Sequence, residues 1–393
     1  MRITFPFLGQ AHQVFHALPI AASIAQRHPD VEVHVAAFEP ARMAFVRALL
    51  ARHAPDARIA FDPLPIGFGD AWRLRRGTGR TFLKSYALAR NARYFRGFDA
   101  IVTPERTSLV LRRLGVRTPL VWTRHGAGDR EIGFAADVKH FDFVLLAGRK
   151  IEQRLLKADL IRPGRYAGGV YAKFDWARGA PDDPLFANAR RTVLYNPHFR
   201  TALSSWPKLG HAVLEALSRS GRYNVVFAPH VRLFEAAEPA QRAAFDRYAA
   251  MDHVRVDLGS ERSIDMSYTQ AADLYLGDVS SQVAEFVCRP RPCLFLDAHA
   301  TAWRGDPNYA SWRLGEVCGS AQDLEARLDA AFERHREFES VQRAYIDETF
   351  GLPPGPSAPR GADAIVAFAR GRMRRSAPRA GGHHATRDAV RSA

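Results

Sequence analysis

Cysteine is scarce in this chain of 393 residues: Cys288, Cys293 and Cys318 are all it has. An odd count with no Cys-x-x-Cys pair argues against a disulfide framework and against a zinc site, so reduced, mostly buried thiols are expected. Long apolar runs are lacking too, which excludes a bilayer-spanning helix. No secretory signal is evident, because "MRITFPFLGQAHQVFH" starts apolar but soon meets Gln and His. The expected location is cytoplasmic, or peripheral on the inner face of the cell membrane. No Asp-x-Asp pair stands in a metal-binding context, so neither a metal nor a cofactor is expected. Lysine is rare as well: six of the 56 basic residues are Lys, although the net charge is +15. That skew points to an arginine-rich composition as much as to a binding surface. After Gly351 the chain carries about +6 in a segment that reads as poorly ordered, leaving about +9 for the rest. No nucleic-acid-binding motif accompanies the charge, so nucleic acid is not an expected partner.

What is present is an α/β pattern. "RITFPFL" reads as a strand, "HQVFHALPIAASIAQRH" follows with helical spacing, and "VEVHVAAF" is a second strand. Apolar runs return at "FDAIVTP", "TPLVWTRHG" and "FDFVLLAG". Strands alternating with helices imply a parallel sheet covered on both faces. The stretch "AGGVYAKFDWARGAPDDPLFANAR", rich in Gly, Pro and Asp, breaks the alternation and reads as a linker. A second series then runs through "TVLYNPH", "YNVVFAPH", "VRVDL", "ADLYLGD" and "PCLFLD". The expected fold is therefore α/β, with two Rossmann-like domains whose parallel sheets face a central cleft. The division falls at 1–175 and 176–373, with a disordered basic tail over 374–393.

In open parallel sheets, ligands lie beyond the carboxyl ends of the strands. Four strand ends carry unusual chemistry: Thr123-Arg124-His125-Gly126-Ala127-Gly128-Asp129, Asn196-Pro197-His198-Phe199-Arg200, Pro229-His230, and Asp278-Val279-Ser280-Ser281. A lone strand-end histidine is more often a satisfied structural residue. Three histidines and an Asp-x-Ser-Ser on one edge point to a ligand. Asp278 or Ser280 is placed to cap the helix continuing "SQVAEF", and the free N–H groups of that first turn would favour an anion.

The segments "VLYNPHFR", "VVFAPH" and "ADLYLGDVSSQVAEFVCRPRPCLFLD", in this order, resemble the C-terminal half of the CDP-glycerol glycerophosphotransferase family, the teichoic-acid-type primases and polymerases. "VWTRHG" is similar to that family's Trp-His-Gly motif, and the likeness spans about residues 119 to 368. The sequence departs from the pattern at His198, where the family has Thr, and at Val279, where it has Tyr. It departs again at Trp122, which stands three residues before His125. The resemblance implies a GT-B-like fold with an N-terminal acceptor domain and a C-terminal nucleotide-donor domain. His125 would be the general base and His230 its catalytic companion on the donor side. Asn196, His198, Arg200, Asp278, Ser280 and Ser281 would hold the donor's phosphates, with Asp278 the least assigned of them. Gly126 and Gly128 would allow close backbone approach to substrate. On this reading the partners are a CDP-activated donor and a lipid-linked or glycan acceptor.

Two further stretches bear on the acceptor side. Gly9 and His12 lie at the first strand-to-helix turn, which a GT-B arrangement aims at the cleft. "AWRLRRGTGRTFLKSYALARNARYFRG" mixes Arg with aromatics and would suit an anionic membrane surface, although an ordinary surface helix explains it as well. Two alternatives share the architecture. One is a nucleotide-sugar glycosyltransferase or a UDP-GlcNAc 2-epimerase-like enzyme; the epimerase would need several cleft carboxylates, and few stand at the strand ends. The other is a non-catalytic nucleotide-binding protein.

Overall fold

A computed structural model describes residues 1–67, 80–177 and 184–376. Both series of strands form as expected, and every pairing among the described residues is parallel. The first sheet has seven strands in the order β3-β2-β1-β4-β5-β6-β7, and the second has six in the order β10-β9-β8-β11-β12-β13. The first comprises β1 (Arg2–Pro6), β2 (Glu32–Ala37), β3 (Ile59–Pro63), β4 (Ala100–Thr103), β5 (Leu120–Thr123), β6 (Phe143–Leu145) and β7 (Tyr166–Ala167). The second comprises β8 (Thr192–Asn196), β9 (Asn224–Phe227), β10 (Val254–Val256), β11 (Leu274–Gly277), β12 (Cys293–Leu296) and β13 (Glu316–Cys318). Strand order reverses between β1 and β4 and again between β8 and β11. Such reversals open a crevice at the carboxyl edge, where neighbouring chain segments leave the sheet in opposite directions.

The strands alternate as a doubly covered sheet requires. On β8, Val193 and Tyr195 pack into the core of the second domain beside Phe227 and Leu276. Leu194 faces the other way, into a core that also holds Val226, Tyr275 and, from the first domain, Trp122 and Val144. That shared core joins the domains. The first helix (Ala11–Arg27) lays Phe15, Leu18 and Ile24 on Ile3, Phe5, Val33 and Val35 of the first sheet.

Two features differ from the sequence reading. Three strands are absent from it: β3, β7 and β13. All three are sheet edges, only partly buried, so they lack the unbroken apolar run that marks β4, β5 or β9. The stretch after Gly351 that reads as poorly ordered contains a helix, Ser357–Ser376, instead. Its Ala358, Ala362, Ile365, Val366 and Ala369 join the core of the first domain, so the chain crosses back at its end. Small alanines at helical spacing carry this contact, and they give a weak apolar signal beside so many arginines. The remainder of the proposed tail, 377–393, lies outside the described residues, as do 68–79 of the basic-aromatic stretch and 178–183 of the linker. No helix among the described residues is long and apolar enough to cross a membrane.

Candidate active site in the interdomain cleft

The carboxyl edges of the two sheets enclose a cavity of about 290 Å³. Its walls bring together residues far apart in sequence: His12, His125, Gly126 and Gly128 from the first domain, and His198, Arg200, His230, Ser280 and Ser281 from the second. Asn196 and Asp278 lie beneath the wall. The Asn196 Nδ2 donates to Ala228 O (2.5 Å), and its Oδ1 accepts from the Tyr275 hydroxyl (3.1 Å). Gly9 lines a neighbouring cavity that shares His125 with this one.

Backbone partners set the tautomers of His125, His198 and His230. The Nδ1 of His125 lies 2.7 Å from Pro104 O, which can only accept, so the ring proton sits on Nδ1 and Nε2 presents a lone pair. Across the cavity the pattern is reversed. His230 Nδ1 accepts the Arg232 N–H (3.2 Å), and His198 Nδ1 accepts the Arg200 N–H (3.0 Å). Their Nε2 atoms therefore carry the protons. One lone pair on the first domain thus faces two N–H donors on the second.

All of these rings are held neutral. Burial lowers the pKa of His125 to about 4, with Arg124 and Lys84 adding repulsion. Burial and nearby charges take His198 to about 3 and His230 to about 4. His12 is pushed well below its ordinary value by burial and by its neighbours His125 and His230, whose ring centroids lie 5.9 and 6.3 Å away. Desolvation thus displaces these rings downward from the near-neutral value of a free imidazole. A bound anion would move them back up.

Positive charge in the cavity comes from arginines. Arg106, Arg124, Arg130, Arg200 and Arg232 line it. Arg106 pairs with Asp137 (2.6 Å), and Arg124 binds backbone carbonyls of Gly126, Gly128 and Gly133. Arg232 lies over the Phe199 ring at 4.2 Å. Arg130 Nη1 stands 3.2 Å from His198 Nε2. A guanidinium N–H and an imidazole N–H then face each other, donor to donor. An anionic oxygen between them would accept from both. Arg106, Arg130 and Arg232 were not singled out by the sequence reading, because a chain this rich in arginine gives no local contrast.

Among the described residues the carboxylate on this wall is engaged elsewhere. Asp129 accepts from the Tyr345 hydroxyl (2.8 Å) and pairs with Lys150 (2.5 Å). Among the described residues no cluster of His, Cys, Asp and Glu has the makings of a metal site.

The serine turn also takes a definite form. Ser280 is the helix cap, its Oγ accepting from Gln282 N (3.2 Å). The helix it opens, Ser281–Phe286, has six residues, so its dipole is a minor contributor beside the guanidiniums. Gly126 has φ +78°, and a Cβ there would sit 3.3 Å from Ser281; at Gly128 it would sit 3.1 Å from the Ser281 Cβ. The two glycines therefore let the β5 loop approach Ser281 of the other domain, where approach to substrate was expected. Asp278 is fully buried and accepts the N–H of His198 (2.7 Å) and of Ser205 (3.0 Å) through one oxygen. It ties the β8 loop to the end of β11 and so places His198.

Burial raises the Asp278 pKa to about 7. A raised folded-state pKa contributes stability below the unfolded carboxyl value, and that contribution is lost as pH rises through 7. The Asp278→Asn variant keeps an acceptor oxygen but does not titrate. Its stability relative to wild type should improve by roughly 2–3 kcal/mol between pH 5 and pH 8. Urea unfolding at the two pH values reads this difference, and a pH-independent difference would contradict it.

Fold and site together define a two-domain GT-B protein with a cationic, histidine-lined interdomain cleft. No protein-family model matches the chain, and no curated protein matches it in sequence. Solved structures do resemble it. The wall teichoic acid polymerase TagF, in a soak with CDPG, superposes with a TM-score of 0.63 at 12% identity, covering 95% of this chain and 89% of that one. The UDP-GlcNAc 2-epimerase of Methanocaldococcus jannaschii, in complex with UDP-GlcNAc and UDP, gives 0.63 at 12% identity, covering 93% and 100%. The corresponding enzyme of Neisseria meningitidis, bound to UDP-GlcNAc, gives 0.61 at 12% identity, covering 94% and 100%. Likeness at this identity establishes the fold.

Proposed function

We propose that the protein is a transferase that moves a polyol phosphate from a CDP-activated donor to a hydroxyl of a lipid-linked or glycan acceptor, as in cell-surface polymer synthesis. The observation that carries this reading is the pairing across the cavity of the His125 lone pair with the N–H donors of His198 and His230, ringed by guanidiniums from both domains. His125 Nε2 takes the proton of the attacking hydroxyl. The acceptor oxygen bonds to the phosphorus that bears the polyol, and the bond from that phosphorus to the bridging oxygen breaks. CMP leaves with the electron pair of that bond. His198, His230, Arg130 and Arg200 neutralise the charge that builds on the phosphate oxygens, which is the main task in phosphoryl transfer.

Two supports differ in kind. The TagF structure is of a polymerase with CDPG, which fits the same donor class. The epimerase structures are as similar in fold, but a proton relay on carbon calls for carboxylates beside the substrate, and in the arginine-lined cavity Asp129 is already held by Tyr345 and Lys150. Thermal-shift titration separates the readings, since a ligand stabilises the fold in proportion to its occupancy. Stabilisation by CDP-glycerol over UDP-GlcNAc is expected, and the reverse order would favour the epimerase. The Arg130→Ala variant should weaken CDP-glycerol binding about 10- to 100-fold, the scale of one charge-assisted hydrogen bond pair. An unchanged affinity would remove Arg130 from the donor site.

A further inference from the structure

We infer that the outer face of helix Arg80–Arg90, with the arginines packed beside it, docks on an anionic phospholipid surface. The docking stands on charge and exposure; that the bilayer carries the acceptor rests on the transferase reading. The charge of this chain is unevenly placed. Residues 71–128 hold thirteen Arg and Lys against Asp99 and Glu105, so +11 of the net +15 falls in 58 of 393 residues. Outside that stretch and the segment after Gly351, the chain is net −2. An arginine-rich composition alone would spread the charge. Both acids are already engaged. Asp99 accepts the Arg2 N–H (2.7 Å), and the buried Glu105 pairs with Lys84 (2.9 Å).

The fold gathers these cations on one face. Helix Arg80–Arg90 packs against the short helices Ala92–Phe95 and Val110–Arg113. Their Leu88, Phe95 and Leu111 join one core with Ile101, Leu120 and Trp122, on one side of the first sheet. The Thr118 hydroxyl donates to Phe95 O (2.8 Å) and the Arg96 guanidinium to Leu114 O (2.9 Å), which ties the segments together. Arg90, Arg93, Arg96, Arg113 and Arg117 are exposed, and none pairs with a carboxylate among the described residues. On the same helix Phe82 is 59% exposed, with the Tyr86 ring stacked on it at 6.4 Å. Phe82, Tyr86 and Arg90 follow at four-residue steps and so form one stripe, while Leu83 and Ala87 are buried. Basic charge and an exposed aromatic together supply the two attractions that hold a helix on an anionic bilayer. A nucleic-acid backbone would meet the arginines but offers Phe82 no apolar layer to enter. The helix also turns Leu83 and Lys84 toward the cavity that His125 borders. A lipid-borne acceptor would therefore reach the base from beside the docked face.

The test is co-sedimentation of the full chain with vesicles of phosphatidylcholine, alone or with about 30% phosphatidylglycerol. Binding to the anionic vesicles that is reversed by about 0.5 M NaCl, with no binding to the neutral ones, is expected. The triple variant Arg90→Glu, Arg93→Glu, Arg113→Glu should lose at least about 100-fold in vesicle affinity, and Phe82→Ser about tenfold. These side chains are exposed, so circular dichroism and CDP-glycerol affinity should match the wild type. Equal binding to both kinds of vesicle, or full binding to anionic vesicles by either variant, would overturn the inference. So would tighter binding of a DNA or RNA oligonucleotide than of the vesicles, which would make this a nucleic-acid surface. Failure of CDP-glycerol to bind the wild type would instead contradict the transferase reading and leave the vesicle result standing.

Discussion

Replacing His125 with alanine is expected to lower kcat by about 10²- to 10⁴-fold, the usual contribution of a general base, while leaving CDP-glycerol affinity within about twofold. The separation follows from where the ring stands. Its Nδ1 is fixed by Pro104 O, and its ring lines both cavities with Nε2 presenting a lone pair, so it is not among the N–H donors that would hold phosphate. The pH profile adds a second signature. A base whose pKa is lowered to about 4 is protonated only below that value. The kcat/KM of the wild type, which reports the free enzyme, should therefore show no acid limb between pH 6 and pH 8. The limb in kcat should lie higher, because a bound diphosphate raises the pKa of a neighbouring imidazole. Wild-type turnover in His125→Ala, or an acid limb in kcat/KM near pH 6.5, would dismiss this base.

The second large effect concerns the joint between the domains. Lys173 donates to both carboxylate oxygens of Glu285 at 2.8 and 2.7 Å, and the Tyr171 hydroxyl donates to one of them at 2.7 Å. Lys173 and Glu285 are 4% exposed. Glu285 belongs to the helix opened by Ser280 and Ser281, whereas Tyr171 and Lys173 lie on the segment leaving the first domain. Removing one partner leaves a buried charge uncompensated, so Lys173→Met should cost about 3–5 kcal/mol. In a chain of this size that corresponds to a fall in Tm of about 4–6 °C. Lys173→Met combined with Glu285→Leu should recover much of the loss, because the unpaired charge is then gone. Scanning calorimetry of the single and double variants decides it. A single variant as stable as the wild type would contradict the pairing, and a double variant as unstable as the single would contradict its cause.

Much of the fold was legible before the structure. Fully buried strands such as "TVLYN" and "NVVF" write continuous apolar runs, and turn residues punctuate them at the carboxyl edge. The edge strands β3, β7 and β13 write no such run, and the alanine-bearing helix that closes on the first domain is diluted by its arginines. The site was legible by the same logic at His125, His198, Arg200, His230 and the Ser280-Ser281 turn, each a polar interruption after an apolar strand. Asn196 and Asp278 carry the same sequence signal. They turn inward because their partners are the Tyr275 hydroxyl and loop N–H groups, a distinction that only three dimensions can draw. Arg130 left no signal, lost among arginines.

The most direct measurement is phosphorus NMR of the full chain incubated with CDP-glycerol and a sugar or polyol acceptor. Disappearance of the diphosphate signals, with CMP and a phosphodiester rising together and neither forming with His125→Ala, is the expected result. Intact CDP-glycerol, alongside interconversion of UDP-GlcNAc and its 2-epimer, would contradict phosphate transfer as the function of this cleft.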